Sequence, residues 1–168
     1  MMLGLSLQQF TVLHVAISLI AIGTGFVVIA GFVKGKRLSG WTGVFLTTTI
    51  LTSVTGFMFP PKPIGPPHIF GIVSLALLTA ALVALYGKKL AGKWRWIYVV
   101  TALICQYLNV VVLIVQSFQK IPALNALAPT QTNELAFAAT QGVMLVLFIV
   151  LGFLAVKRFR PSPSVVFA

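Results

Sequence analysis

Ten of the twelve lysines and arginines fall into three clusters, and each cluster follows a long apolar stretch. The clusters are Lys34, Lys36 and Arg37; Lys88, Lys89, Lys93 and Arg95; and Lys157, Arg158 and Arg160. Only Lys62 and Lys120 lie elsewhere. Basic loops are retained on the cytoplasmic side of a membrane. The clustering therefore orients the chain, with the N-terminus and both histidines on the outer side.

The apolar stretches leave little choice of solvent. Of 168 residues, 59% are hydrophobic and the mean hydropathy is +1.06. A typical soluble domain is roughly 45–50% apolar. A span needs roughly 20 apolar residues, and five stretches meet that length: 11–33, 41–59, 68–86, 96–118 and 135–156. The fold expected is all-α, a polytopic bundle of five transmembrane helices in a single domain over 1–168, with the C-terminus cytoplasmic. The first segment has no basic region ahead of its apolar run, so we expect it to remain as a span rather than a cleaved signal. Trp41, Trp94, Trp96 and Tyr98 flank the basic ends, as interfacial aromatics do.

Charge excludes several classes of activity. Glu134 is the one acidic residue. Paired-carboxylate hydrolysis needs two acids, and calcium or magnesium sites need several oxygen ligands. The net charge of +11 does not point to nucleic acid, because the cations sit at the ends of apolar segments rather than on one soluble face. Their expected partners are anionic lipid headgroups on the cytoplasmic side. Cys105 is the one cysteine; in the middle of an apolar run it reads as a small buried hydrophobe.

Polar residues inside the spans single out a site. On the first helix Thr11, His14, Ser18 and Gly25 share a face, the small-and-polar stripe of a helix contact. The second helix carries Thr42, Thr47, Thr48, Thr49, Thr52, Ser53 and Thr55. Hydroxyls of this kind bond to their own helix's carbonyls, so close packing accounts for them more simply than a lined solute path. Five prolines between Pro60 and Pro67 read as a stiff link that delivers His68 to the top of the third helix. The fourth helix carries Gln106, Asn109, Gln116 and Gln119 on a stripe that must look inward, since amides facing lipid are costly. Ile121, Leu124, Leu127 and Ala128 suggest a short surface turn stopped by Pro129. Thr132 or Asn133 then caps the fifth helix, with Glu134 in its first turn. Gln141 follows within that helix.

The topology collects His14, His68, Gln116, Gln119, Glu134 and Gln141 in the outer half. Two histidines on parallel helices permit axial ligation of a b-type haem. With Glu134 they form a candidate copper or zinc set. A histidine and an amide in an apolar cleft also suit a quinone. The leading expectation is a redox-linked membrane protein that binds haem or quinone through His14 and His68, supported by Gln116, Asn109 and Gln141. The alternatives are a non-enzymatic subunit or assembly factor of a larger membrane complex, with a membrane-protein partner or homo-oligomer, and a transporter or channel for a small neutral or anionic solute.

Two stretches carry a resemblance: TSVTGFMFPPKPIGPPHIFGIVSL (Thr52 to Leu75) and WIYVVTALICQYLNVVVLIVQSFQKIPALNALAPTQTNELAFAATQ (Trp96 to Gln141). They resemble a group of small bacterial inner-membrane proteins without an agreed activity. The resemblance implies a multi-pass location in that membrane and transfers no catalytic residue.

Overall fold

The structure is a computed structural model that describes residues 4–60, 65–129 and 134–160, with Pro66 and Pro67 described by backbone alone. The described chain is all-helical: α1 (Leu7–Val33), α2 (Ser39–Phe57), α3 (Pro66–Leu82, continued by a π-helical turn over Val83–Gly87), α4 (Trp94–Lys120), α5 (Pro122–Asn125) and α6 (Leu135–Arg158). Much of the expected Pro-rich link, 61–64, lies outside the described residues, as do the expected caps Thr132 and Asn133. Pro66 and Pro67 turn out to open α3 rather than end the link. The first helical turn leaves its N–H groups unbonded in any case, so proline is at no disadvantage there.

Helix ends follow local chemistry. α1 begins four residues earlier than apolarity alone suggested. Ser6 Oγ accepts from Gln9 N at 3.2 Å, and Ser6 N donates to Gln9 Oε1 at 3.0 Å, a reciprocal cap that polar residues can make outside the apolar run. α1 ends at Val33, and just beyond it the φ of +70° at Gly35 allows Lys36 N to reach Gly31 O at 2.8 Å. A Cβ would strain that left-handed turn.

Four helices are long and apolar enough to cross a membrane: α1, α3 with its π turn, α4 and α6. α2 falls short in apolarity because of its hydroxyls. Several of those hydroxyls are satisfied locally: Thr48 Oγ1 donates to Val44 O, Thr49 Oγ1 to Phe45 O and Thr55 Oγ1 to Leu51 O, each at 2.7 Å, whereas Thr52 Oγ1 is buried without a partner among the described residues. α2 also runs antiparallel to α1 over nearly the whole of its length. As numbers rise along α1 they fall along α2. Phe10 stacks edge-on against Phe59 (5.1 Å), His14 bonds to Thr55, Gly25 lies against Phe45 and Gly31 against Leu38.

α1, α2, α3 and α4 form a ring in which each helix packs on the next and α4 closes back on α1. α6 lies outside the ring, in the seam between α1 and α4. Its register on α4 is antiparallel: Phe137 meets Phe118, Phe148 meets Tyr107 and Gly152 meets Leu103. The ring interior is tied by side chains that cross it. Gln106 Nε2 donates to Ile22 O (2.8 Å), Asn109 Nδ2 to Thr49 Oγ1 (3.5 Å), Tyr98 Oη to Thr42 Oγ1 (3.5 Å) and Cys105 Sγ to Ser74 O (3.7 Å). Amides and hydroxyls facing apolar neighbours must find partners inside the protein; these four donors find theirs on other helices, while Gln106 Oε1 is buried without a partner among the described residues.

All three basic clusters come to the same end of the bundle, the end at which α1, α3 and α6 finish. Phe32, Tyr98 and Phe159 pack there as a fully buried aromatic trio. Arg95 Nη1 donates to Val156 O (3.3 Å) and to Phe159 O, closing the last turn of α6.

Candidate functional site

At the other end of the ring the polar groups are arranged differently. His14 Nδ1 lies 2.7 Å from Thr55 Oγ1. A hydroxyl carries one hydrogen, and Thr55 Oγ1 also reaches Leu51 O, at 2.7 Å. With the Thr55 hydrogen on Leu51 O, His14 donates from Nδ1 and its Nε2 carries a lone pair when the ring is neutral; with that hydrogen turned to Nδ1 the two ring nitrogens exchange roles. The ring is held edge-on by Phe59 at 5.2 Å, and Gly56 keeps the space beside Cε1 free of a side chain. Second-group control of a histidine tautomer is the arrangement that prepares the opposite nitrogen to accept or to ligate.

Gln116 shares the inward face of α4 with Gln106 and Asn109. Those two meet α1 and α2 below it. Phe32 opposite Tyr98, and Ile22 and Gly25 opposite Gln106, fix the antiparallel register of α1 on α4. Continued outward, that register puts Gln116 at the level of His14. Gln116 makes no hydrogen bond among the described residues. The Lys120 ammonium, at the end of α4, acts on His14 electrostatically. The Gln106–Ile22 and Asn109–Thr49 bonds form a floor; above it stand His14, Thr55 and Gln116.

The remaining expected residues are placed elsewhere. His68 Nδ1 accepts from Gly65 N at 3.4 Å and so caps its own helix, as a side-chain acceptor at a helix start does. Its ring lies beside Phe57, at 6.1 Å. On α2, Phe57 points away from Thr55 and Phe59, so the two histidines stand on opposite sides of the last turn of α2. Two axial ligands for one porphyrin would require α2 to leave that place. Gln141 sits on the face of α6 that meets α4, with Phe137 and Phe148, in the seam outside the ring; its Oε1 is buried without a partner. Glu134 is itself the N-cap residue of α6, with no side-chain bond to the cap backbone. Among the described residues no three histidine, cysteine or acidic side chains gather as metal ligands.

The role of Thr55 was not singled out from the sequence, where it was one hydroxyl among seven. Its distinguishing feature is position: it pairs with the one histidine of α1.

Compared with family models, characterised proteins and solved structures, the chain matches none.

Proposed function

We propose that the chain is a five-span protein of a bacterial inner membrane, with its N-terminus outside, that binds a quinone or quinol at the outer end of the ring. The observation that carries this reading is the His14–Thr55 bond. With Nδ1 donating, it leaves Nε2 as an acceptor suited to a quinol hydroxyl, while the Gln116 amide supplies a donor for a quinone carbonyl. A membrane-soluble ring with polar edges is the ligand class that fits a few polar groups on an apolar wall. α2 counts as a span because 19 residues rise about 28 Å, the thickness of the hydrocarbon core, and because it matches α1 so far along.

Protein purified in mild detergent and loaded with a quinone should retain it, as read by extraction and chromatography. His14→Ala should lower retention at least tenfold, and His68→Ala should leave it unchanged. Equal retention in wild type and His14→Ala would end the reading. The same Nε2 lone pair also suits haem iron. A Soret band that shifts with dithionite and vanishes in His14→Ala would replace quinone by haem.

A second reading is a subunit of a larger membrane complex. It is favoured by α6, the least buried of the four long apolar helices, held to the ring by one face. Co-purification of a stoichiometric partner chain in mild detergent supports it; a monodisperse lone chain opposes it.

A further inference from the structure

An apolar groove lies away from the outer end. It runs between α4 and α6 with a volume of about 390 Å³, lined by Val99, Leu103, Tyr107, Phe148, Gly152 and Phe153 among others, and its walls are almost wholly apolar. From Val99 to Tyr107 it extends about 12 Å along α4. Gly152 makes it possible: without a side chain there, the flank of α6 is recessed opposite Leu103.

The end of the groove near Val99 and Val156 meets the basic end of the bundle. Lys157 Nζ sits over the ring of Phe153, at 6.0 Å, so its ammonium is held beside a groove wall. Arg95 binds the carbonyl of Val156, another lining residue, through Nη1. The exposed Arg158 and Arg160 stand beside them. An apolar slot with cations at one mouth matches an acyl chain joined to a phosphate. A second copy of the chain is a poorer occupant. Two copies inserted with the same orientation would bring like-charged ends together.

We infer that the α4–α6 groove holds one acyl chain of an anionic phospholipid, whose headgroup phosphate rests on Lys157 and Arg95. This inference is independent of quinone binding and needs only that the helices lie in lipid.

Native mass spectrometry of the full chain, titrated with dioleoylphosphatidylglycerol or dioleoylphosphatidylcholine, tests it. One phosphatidylglycerol should be retained per chain, at least tenfold more tightly than phosphatidylcholine. Gly152→Leu should fill the slot and weaken that adduct at least tenfold with little change in melting temperature. If Gly152→Leu does not fold, Ile149→Trp fills the same slot from an exposed wall position. Lys157→Ala should shrink the preference for phosphatidylglycerol to about threefold or less, with phosphatidylcholine binding unaltered. Equal retention of the two lipids, an adduct indifferent to filling the groove, or a dimer in place of a lipid adduct would each overturn the inference.

Discussion

A methyl group at position 25 would stand 2.0 Å from Gln106 Oε1 and 2.9 Å from a ring carbon of Phe45. Neither neighbour has room to withdraw: Gln106 is fully buried and tethered to Ile22 O, and Phe45 is buried. Gly25→Ala should therefore cost about 1–3 kcal/mol through overpacking, seen as a lower melting temperature in detergent, whereas Gly23→Ala, on an open face of the same helix, should cost almost nothing. Thr55→Val tests the other close contact. Valine keeps the shape of threonine but removes the hydroxyl bonded to His14 Nδ1. Nitrogen-15 shifts of His14 should move toward a mixture of tautomers, and quinone retention should fall about tenfold with the fold intact. The inward stripe of Gln106 and Asn109 was legible in the sequence because an amide facing lipid has no partner. The fate of the histidines was not. Periodicity says which face a residue shares, not which helix that face meets, and only the ring order reveals that α2 stands between His14 and His68.

α2 and α6 are opposite cases at the scale of the helix. By composition α2 is the weakest of the long helices, yet it is in contact with α1 almost end to end, and Thr48, Thr49, Ser53 and Thr55 turn their hydroxyls onto its own carbonyls. Cysteines placed at Ser39 and at Pro60 should be labelled from opposite sides by a membrane-impermeant maleimide in intact cells and inverted vesicles. Labelling of both from one side would remove α2 from the list of spans. α6 is strongly apolar but peripheral, and its last turn depends on Arg95. Replacing Arg95 by methionine leaves Val156 O and Phe159 O without that donor, a loss of about 1–2 kcal/mol that should appear as faster exchange of α6 amides near Ala155. Apolar run length led to helices at all five expected stretches, but only four of them are long and apolar enough to cross a membrane; α2 is not. The Ser6–Gln9 cap and the entry of Phe159 into the aromatic trio did not follow from run length, because both lie just outside the apolar runs that draw attention to a span.

Across the whole molecule, charge and chemistry divide between the two ends. The three basic clusters, far apart in sequence, converge on one face because α1, α3 and α6 run the same way; this much the cluster spacing foretold. The uncommitted polar groups of the ring lie toward the other face. A fluorescent-protein fusion at the C-terminus should be bright, and an alkaline phosphatase fusion there inactive; the reverse result would invert the topology. The long α1–α2 pairing bears also on biosynthesis. Two helices joined by a tight glycine turn can leave the translocon as one hairpin, and on the proposed topology Lys34, Lys36 and Arg37 stay behind on the cytoplasmic side. α2, the helix least able to enter lipid alone, would then never meet lipid without α1 beside it. Lengthening the turn at Gly35 should slow membrane integration of the nascent chain more than it weakens the finished bundle.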